Sequence, residues 1–519
     1  MTDYDAIVVA AGHNGLLCAA YLAKAQHKVL VVDGRSVPGG CASTREFADG
    51  FSVSDCAQWL SQLDRNVMSD LKLADMGLSL SDAKATISLQ ADADHLILAD
   101  GTASGAGVDD EDLAAYRGFR HMMTRFANVL KTLYQGRPPK LVEKNWTDRL
   151  TLLKLGLGLK MLGKNHMQDL MRLALINIYD VMNEHFKHPA LKSAIAMDAV
   201  TGTNMGPRSP NTVYSYLHRI TGEHLSGTGT TQVMGGMGVL GDALAESAKA
   251  AGAEIKLGVA VKSIEKTGDK VSGVELEDGS HITSKIVFSS ADPTTTFKTL
   301  LGYHQMEAGM AKRAELYRNR SGTAKIHLAL RALPSFTGLT TKQLSQRLII
   351  VPPMDEMEKA LNPIKYREIS DRHLFDISVP TIEDSSLAPE GQHVLTALVH
   401  YVPFDPKEGW DEARGPLLER LIGELEVYAP GWSSLLIASE LVTPSDFEHS
   451  HKVTGGNWHH GELSIDRALM MRPFPCSTQY ATAVDGLFLC GAGAHPGGGL
   501  LGLPGRNAAR EIIKRGALA

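Results

Sequence analysis

The sequence predicts an α/β protein: a doubly wound parallel sheet, joined by a second domain of α+β structure. Residues 1–40 alternate apolar strand, Ala- and Leu-rich helix and apolar strand, as a right-handed parallel crossover unit does. The same alternation returns near residues 235–292 and at the end of the chain. One domain assembled from three chain segments, with a second domain inserted twice, fits this pattern.

The first block predicts a strand at 6–9, a helix at 12–24 and a strand at 29–32 that ends at Asp33. The inserted part opens with alternating residues and a hairpin turn at Asp100-Gly101. A helix at 109–134 follows, because an acidic cluster suits a helix N-terminus.

The middle and last blocks repeat strand and helix signals. We expect a helix at 240–251, a strand at 254–257, and a β-meander of three strands at 259–264, 271–277 and 281–288. Later elements are strands at 324–330 and 393–400, a helix at 414–428, a strand at 487–489 and a helix at 507–514.

Composition is that of an ordinary globular protein. The chain has 519 residues, 44% of them hydrophobic, and its 52 basic and 58 acidic side chains give a net charge of −6. Such a chain lacks the basic footprint of nucleic-acid-binding proteins, so no nucleic-acid partner is expected. Five cysteines without a Cys-x-x-Cys pair argue against a disulfide framework or structural zinc and favour a reducing compartment, the cytoplasm.

The strongest motif is Gly12-His13-Asn14-Gly15, which follows the first strand and opens the first helix. In a Rossmann-type fold Gly12 lets backbone approach a pyrophosphate, and Gly15 lets the helix pack on the sheet. The helix N-terminus favours the phosphates. Asp33 lies 18 residues after Gly15 and can accept a hydrogen bond from a ribose hydroxyl. Ala10 replaces the first glycine of the fingerprint, which predicts strain or a shifted turn.

The residues that follow Asp33 indicate which dinucleotide the protein binds. Arg35, Gly39 and Gly40 follow Asp33, an order typical of FAD proteins of the glutathione-reductase-like class. Gly227-Thr228-Gly229 neither follows a strand nor opens a helix, so a second, nicotinamide site is not expected. Cys41 and Cys56 are 15 residues apart, and this spacing disfavours flavin-linked disulfide reduction.

Further motifs support a family assignment: Gly50-Phe51, Gly235-Gly236-Met237-Gly238, Gly455-Gly456-Asn457, and the ending from Leu489-Cys490-Gly491 through Pro504-Gly505-Arg506-Asn507. Over nearly its whole length the chain resembles the phytoene-desaturase-like FAD-dependent oxidoreductases, which include carotenoid desaturases and isomerases. It is most similar to the branch of pyridine nucleotide-disulfide oxidoreductase domain-containing protein 2. Ala10 and Gln26 stand where that family usually has glycine.

The resemblance implies FAD as cofactor and a set of residues that hold it. The pyrophosphate and adenosine side would be bound by Gly12, His13, Asn14, Gly15 and Asp33, with Val261 beside adenine. Pyrophosphate and ribityl contacts would come from Arg35, Gly39, Gly40, Gly491 and Ala492, and Gly34 would also belong to the cofactor site. Gly502, Leu503 and Pro504, before the last helix, would lie near the flavin ring.

The same resemblance suggests domain boundaries. The FAD-binding domain, glutathione-reductase-like, would comprise 1–90, 228–300 and 453–519. The substrate domain would comprise a helical insertion at 91–227 and a second insertion at 301–452.

Catalytic side chains are not required, because in a flavoenzyme the cofactor carries the hydride chemistry. His495 and His460 are the candidates for acid–base work, since histidine titrates near neutral pH. His495 could equally be a hydrogen-bonding residue that fixes its turn. His460 is adjacent to His459, but no carboxylate is spaced to complete a metal site, so no metal is expected.

The function expected is FAD-dependent dehydrogenation or desaturation of a carbon–carbon bond in an apolar, isoprenoid-like small molecule. Oxygen or a quinone would accept the electrons, and a homo-oligomer is compatible with the sequence. One alternative is a redox-neutral, flavin-dependent cis-trans isomerase. A second is a non-catalytic partner-binding protein that retains the fold, an alternative that Ala10 keeps open.

Membrane contact is expected at the surface alone. Acidic residues near the N-terminus and the lack of a run of ~18 apolar residues predict neither a signal peptide nor a spanning helix. Residues 150–162 are apolar with lysines among them. Such a helix can lie weakly on a bilayer surface, or it can pack on the other domain.

Overall fold

The computed structural model describes residues 3–140, 142 and 145–518. Its strands are β1 (Ala6–Val9), β2 (Val29–Asp33), β3 (Thr44–Ala48), β4 (Phe51–Ser54), β5 (Thr86–Ser88), β6 (Leu96–Ala99), β7 (Thr102–Ser104), β8 (Glu254–Leu257), β9 (Val261–Thr267), β10 (Lys270–Leu276), β11 (His281–Thr283), β12 (Val287–Ser289), β13 (Thr323–Leu330), β14 (Arg347–Ile350), β15 (Leu374–Ser378), β16 (His393–His400), β17 (Leu436–Val442) and β18 (Leu487–Leu489).

Its α-helices are α1 (His13–Lys24), α2 (Arg65–Asp70), α3 (Asp110–Tyr134), α4 (Trp146–Leu162), α5 (Lys164–Leu173), α6 (Ile178–His185), α7 (Pro189–Val200), α8 (Thr212–Ser226), α9 (Gly238–Ala250), α10 (Ala308–Glu315), α11 (Thr341–Leu344), α12 (Met354–Lys365), α13 (Trp410–Glu426), α14 (Pro444–His451) and α15 (Leu503–Arg515). A π-helical segment spans Thr295–Leu301, and short 3₁₀ turns occupy parts of the loops.

A five-stranded parallel sheet forms the nucleotide-binding half, in the order β18-β12-β1-β2-β8. Its strands come from the start, the middle and the end of the chain. β1 is apolar throughout and buried on both faces, as a central parallel strand requires. Helix α15 packs directly on α1: a Cβ at Gly505 would lie 2.1 Å from the Asn14 carbonyl oxygen. The predicted fold, assembled from three segments, is confirmed.

An eight-stranded mixed sheet forms the second half, in the order β17-β13-β16-β15-β14-β5-β6-β7. Helices α3, α6, α7 and α8 share one apolar core with side chains of this sheet, including Ile349 and Leu374. Helix α13 shares another core with it, through Leu417 and Leu421. The inserted part is therefore a sheet between helical layers, the α+β structure that the sequence predicts.

Two details of the sequence prediction need correction. The segment 281–288 is not one strand: β11 ends the meander, and after Ser284, whose hydroxyl bonds Ile286, the chain enters β12 of the parallel sheet. The last helix begins at Leu503 rather than 507, because Gly502 takes a left-handed N-cap conformation and proline fits a first turn. Within the first segment of the chain, β5 pairs with β14 of the eight-stranded sheet.

The other predicted elements lie within a few residues of their expected bounds, and Asp100-Gly101 forms the hairpin turn between β6 and β7. The numerical domain boundaries stay a prediction. A search of the described residues finds no helix that is long and apolar enough to cross a membrane.

Candidate functional site

One cavity of about 690 Å³ runs through the molecule where the two sheets meet. Its outer end lies at the carboxyl ends of β1 and β2, the place where ligands bind in open α/β sheets. Its inner end lies between the eight-stranded sheet and helices α7 and α8, since β15, β16, α7 and α8 contribute Asp376, Leu398, Asp198 and Ser215 to the wall. The cavity therefore joins a nucleotide site to an interior chamber.

Two glycine turns meet backbone to backbone at the outer end. The Gly39 amide donates to the Ala11 carbonyl at 2.8 Å, and a Cβ at Gly40 would lie 3.0 Å from the Gly12 Cα. A Cβ at Gly12 would meet nothing closer than the Ser290 hydroxyl oxygen at 4.0 Å, so it would project into the cavity. Among the described residues no side chain caps α1, so its N-terminus is available to a phosphate group.

Gly15 acts in packing rather than in the cavity wall. A Cβ at Gly15 would lie 2.1 Å from the Ala10 carbonyl oxygen, so only glycine allows the turn to fold back on α1. Ala10 itself has φ +73°, a left-handed conformation that an L-residue adopts at a cost. The sequence predicts either strain or a shifted turn at Ala10, and the structure shows strain.

Asp33 joins the fingerprint loop to the end of β2. Its Oδ2 accepts the Ala11 amide at 2.7 Å and its Oδ1 accepts the Arg35 amide at 2.8 Å. Burial raises the pKa of this carboxyl, against the lowering effect of those two bonds. The carboxylate lines the cavity and retains lone pairs for a ribose hydroxyl. Asp33 thus both positions the loop and faces the nucleotide.

Arg35 and its neighbours complete the outer end. The Arg35 guanidinium donates to the Gly40 carbonyl at 2.7 Å and to the Ser43 hydroxyl at 3.3 Å, and so holds the second glycine turn. Gly34 allows close approach of β9, because a Cβ there would lie 2.9 Å from the Ala260 Cβ. Val261 lines the cavity beside them.

Orphaned polar atoms test whether a dinucleotide fits. Eight buried side-chain atoms of the cavity wall have no hydrogen-bond partner among the described residues, and two of them, Asp198 Oδ1 and His451 Nε2, lie in ion pairs. The other six are His13 Nε2, Asn14 Oδ1, Gln58 Oε1, Gln62 Oε1, His459 Nδ1 and His460 Nδ1. Leaving such atoms unpaired costs ~1–3 kcal/mol each. A ligand with donors and acceptors along its length, as a flavin and its pyrophosphate have, would satisfy them. The residues present fit FAD.

Four histidines of the wall, His13, His218, His459 and His460, are neutral at physiological pH. Burial lowers the pKa of His13 to about 3 and those of His218 and His460 to about 4, and it holds the pKa of His459 well below its usual value. His218 donates from Nε2 to the Gly498 carbonyl at 2.8 Å, so its Nδ1 accepts from the Tyr134 hydroxyl. These rings can donate or accept hydrogen bonds, but they supply no positive charge.

The structure separates the two catalytic candidates. His460 lines the cavity, whereas His495 is absent from the wall as described. The His495 Nε2 lies 2.8 Å from the Leu133 carbonyl oxygen and its ring packs edge-on against Tyr134. The geometry supports the alternative that His495 is a hydrogen-bonding residue that fixes its turn.

The last predicted cofactor segment is also displaced. Ala492 lines the cavity, but Gly491 packs against the backbone of Ser290 instead. A Cβ at Gly491 would lie 2.3 Å from the Ser290 carbonyl oxygen. In the described wall Gly499 and Leu500 take the place expected for Gly502, Leu503 and Pro504. The reason is that α15 begins earlier than predicted, which draws those three residues into the core.

Three charged side chains of the wall, Asp198, Asp376 and Arg219, are held in ion pairs. Arg347 lies 2.8 Å from carboxylate oxygens of both Asp198 and Asp376, and Arg219 lies 3.5 Å from Asp198. Burial favours the neutral acid at Asp198, but Arg219 and Arg347 outweigh it and lower its pKa. Asp376 also accepts the Trp59 indole N–H at 2.8 Å. The chamber therefore carries charges that compensate one another.

Sequence reasoning missed several wall residues. The segment after β4 brings Gln58, Trp59 and Gln62 into the cavity, and none of them carries a motif. The spacing of Cys41 and Cys56 predicts no redox pair, yet their thiols hydrogen-bond to each other in the cavity wall. The position of Cys41, directly after Gly40, was the available signal. No group of three or more potential metal ligands occurs in the described parts of the chain.

Comparison with known proteins agrees with this geometry. The family profile "Flavin containing amine oxidoreductase" matches residues 15–513. Pyridine nucleotide-disulfide oxidoreductase domain-containing protein 2 of Mus musculus is 31% identical over 99% of this chain and 94% of its own length. A subunit of limonene dehydrogenase from Castellaniella defragrans is 27% identical over 98% and 94%. Prolycopene isomerase of Daucus carota is 24% identical over 96% and 78%.

Solved structures share the fold at low identity. An oxidoreductase from Methanosarcina mazei superposes with a TM-score of 0.58 at 17% identity, covering 98% of this chain and 99% of that one. Putrescine oxidase bound to putrescine superposes with a TM-score of 0.60 at 13% identity, covering 99% of both chains. At these identities the likeness concerns architecture alone.

Proposed function

Because the chain belongs to the family of flavin-containing amine oxidoreductases, we propose that it is a dehydrogenase acting on a carbon–carbon bond of an uncharged, apolar small molecule of isoprenoid type. The protein is an FAD-dependent oxidoreductase. When bound, FAD supplies the acceptor for a hydride from the substrate, and the protein supplies binding, orientation and exclusion of water.

The observation that carries this proposal is the charge balance of the inner chamber. Asp198, Asp376 and Arg219, which reach its wall, are held in ion pairs, and the wall histidines His218 and His460 are neutral. An ammonium substrate would need an unpaired carboxylate, and an anionic one an unpaired cation, because a buried lone charge is costly. An uncharged substrate suits this chamber.

The residues of the chamber can orient such a substrate. Trp59 and Leu398 offer apolar surface, while the Gln58 amide donates to the Asp376 carbonyl at 2.9 Å and is thereby fixed. The unpaired Nδ1 of His460 belongs to the same cavity wall. Hydrogen removal from an unactivated carbon needs this positioning rather than a titrating acid.

The relatives support the substrate class by their names. The limonene dehydrogenase chain and prolycopene isomerase are named for hydrocarbon terpenoids, and both match almost the whole of this chain. The isomerase match favours a second candidate, a redox-neutral cis-trans isomerase at the same site. The two candidates differ in whether the flavin is reduced at the end of a turnover.

An anaerobic absorption experiment tests the proposal. Purified holoprotein is mixed without oxygen with detergent-dispersed terpenoid hydrocarbons, and in parallel with putrescine and cyclohexylamine as amine controls. We expect the terpenoids to bleach the oxidised flavin spectrum and the amines to leave it unchanged. Change of double-bond geometry without net bleaching would assign the isomerase. Bleaching by an amine alone would contradict both, and protein that takes up no FAD would indicate a non-catalytic partner-binding role.

A variant separates substrate binding from cofactor binding. Leu398→Trp places a larger side chain at the inner end of the cavity, so it should slow bleaching strongly while FAD content stays that of the wild type. Equal bleaching rates in the two proteins would show that substrate does not enter this chamber.

The proposal extends to acceptor and location. With one dinucleotide fingerprint in the sequence, oxygen or a quinone is the electron acceptor we propose. The cysteines, all free in the structure, suit the cytoplasm. Weak attachment of α4 to a membrane surface would give the protein access to an apolar substrate dissolved in lipid. We also propose that the protein can form a homo-oligomer.

A further inference from the structure

We propose that Cys41 and Cys56 form a redox-active dithiol in the wall of the FAD cavity, which closes to a disulfide by exchange with low-molecular-weight disulfides. This activity is separate from hydrogen removal at carbon, and it does not depend on the identity of that substrate. It also revises the expectation from sequence, in which 15 residues of separation spoke against a cysteine pair.

Backbone pairing brings the two cysteines together. β3 and β4 form an antiparallel hairpin with Thr44 opposite Ser54. The pairing continues past its end, because the Asp55 amide donates to the Ser43 carbonyl at 2.9 Å and the Ala57 amide to the Cys41 carbonyl at 3.0 Å. This register sets Cys41 opposite Ala57 and Cys56 opposite Ala42, so the two cysteines lie one residue out of step on neighbouring strands. Paired strands lie ~4.8 Å apart and a disulfide needs Cα atoms roughly 4.4–6.8 Å apart, so an offset of one residue keeps the pair within reach of a disulfide.

The two thiols are in contact, and both face the cavity. They hydrogen-bond to each other, and their side chains belong to one small apolar cluster. Cys41 is half-buried and Cys56 is buried, so a small reagent meets the Cys41 thiol first. Cys18 and Cys490 form a matched internal comparison: their thiols also hydrogen-bond, but both residues are fully buried and neither is among the residues that line the described wall.

The charges around the pair give its members different roles. The Arg35 guanidinium bonds the residues on either side of Cys41, at Gly40 and Ser43. His451 and Asp55, 3.2 Å apart, lie on its other side. The hydrogen bond from Cys56, with help from His451 and Arg35, outweighs burial and lowers the pKa of Cys41 to about 7, whereas the pKa of Cys56 is raised. Cys41 is the attacking thiolate and Cys56 the resolving thiol.

The exchange balances without any further oxidant. The Cys41 thiolate attacks one sulfur of a small disulfide, RSSR, which forms a mixed disulfide and releases RS⁻. Cys56 then loses its proton and attacks the Cys41 sulfur, which closes the protein disulfide and releases a second RS⁻. Two protein thiols and one RSSR give one protein disulfide and two RSH, so two electrons pass from the cysteine pair to the small disulfide.

Glutathione equilibration of the holoprotein tests the proposal. A Cys476→Ser background removes the exposed thiol, and anaerobic buffers of stepped reduced-to-oxidised glutathione ratio set the potential. After quenching with an alkylating reagent, peptide mass mapping should show a Cys41–Cys56 disulfide whose fraction follows the ratio. Cys18 and Cys490 should stay reduced throughout. Cys41 and Cys56 both still alkylated in the most oxidising buffer would overturn the proposal.

Single variants test the assigned roles. Cys56→Ser should accumulate a glutathione adduct on Cys41, because the resolving thiol is gone. Cys41→Ser should leave Cys56 largely unmodified. Cys18→Ala serves as control and should not alter the wild-type pattern. The flavin absorption spectrum, recorded for each protein, reports whether the cavity is intact, and adducts of equal extent on the two single serine variants would contradict the division of roles.

Discussion

At the scale of single residues, one alanine and one glutamine carry backbone strain that glycine would remove. Ala10 has φ +73° and Gln26 has φ +67°, both in the left-handed region. That conformation costs an L-residue ~1–2 kcal/mol. The Ala10 amide donates to the Val32 carbonyl at 2.8 Å, and the next amide is held by Asp33. The loop is therefore held in its strained form by β2.

We expect Ala10→Gly to leave FAD affinity unchanged or to tighten it, and to raise the free energy of unfolding by up to ~1 kcal/mol, because relief of strain is partly offset by glycine's flexibility. Flavin titration and urea unfolding measure the two effects. Gln26→Gly is the matched control, since Gln26 lies at the end of α1, away from the cavity, and should change stability alone. A marked loss of flavin in Ala10→Gly would show that the loop adopts another conformation with cofactor bound.

Asp33 is expected to contribute directly to FAD affinity. Asp33→Asn preserves the shape of the side chain but removes the charge that a ribose hydroxyl would meet, a loss of ~1.5–3 kcal/mol. It keeps one of the two acceptor oxygens that hold the Ala11 and Arg35 amides and replaces the other with an amide donor. FAD should then bind about ten- to hundredfold more weakly. Asp33→Ala is the less selective change, because it also strips the acceptor from the Ala11 amide at 2.7 Å. Equal FAD affinity of Asp33→Asn and wild type in a titration would remove the ribose role.

At the scale of elements, the parallel strands were predictable because burial on both faces makes them continuous apolar runs, as in β1 and β2. The structure of segment 281–288 was not predictable in this way, because the apolar pattern alone does not reveal that the chain passes from one sheet to another at Ser284. In the site, the glycines and Asp33 could be located by motif. Gln58, Gln62 and the Cys41–Cys56 contact depend on tertiary pairing, which spacing along the chain does not encode.

Helix α4 presents an apolar face to solvent. Leu153, Leu157 and Met161 are 69%, 56% and 76% exposed, and Trp146 and Leu150 continue the same face. The helix forms in spite of Gly156 and Gly158, because a capping box of Asn145 and Asp148 starts it and Gly158 lies against Val129 of α3. Lysines at 154, 160 and 164 border the face. This arrangement suits weak, reversible contact with an anionic lipid surface.

Replacing Leu153 and Leu157 by Gln should reduce co-sedimentation with anionic liposomes while FAD content stays constant, because both side chains point away from the core. Neutral liposomes serve as the lipid control and should bind less protein. The matched protein control is Leu175→Gln, an exposed leucine in the loop after α5. Wild-type protein that stays wholly in the supernatant would assign the face to a contact with another copy of the chain or with other proteins instead.

At the scale of the whole molecule, the cavity exists because distant chain segments converge on it. The five-stranded sheet takes β1, β12 and β18 from the three blocks, and the carboxyl ends of these strands lead to Gly12, Ser290 and Ala492 in one wall. The eight-stranded sheet and α8 close the inner end. Where these segments converge, they bury polar and titratable groups, among them several histidines. The free energy of unfolding therefore depends on pH.

Four histidines have a pKa lowered to about 4 by burial: His218, His400, His460 and His495. In the unfolded chain the pKa of histidine is ~6.5. Above that pH both states are neutral, and between pH 6.5 and 4 the unfolded chain binds more protons. The free energy of unfolding should therefore fall by ~2 kcal/mol per such histidine at pH 5. Glu462, whose pKa is raised to about 7 by burial, acts in the opposite direction and offsets part of this loss.

Urea unfolding with saturating FAD at pH 8, 6.5 and 5 measures this dependence, and His400→Gln isolates one histidine. His400 lies outside the described cavity wall, and its Nδ1 is 3.1 Å from the Thr323 hydroxyl, so cofactor binding should not interfere. Glutamine does not titrate, and between pH 8 and 5 the variant should lose ~2 kcal/mol less than wild type. Parallel stability curves for the two proteins would mean that His400 becomes protonated in the folded state, and that its burial is less complete than the geometry indicates.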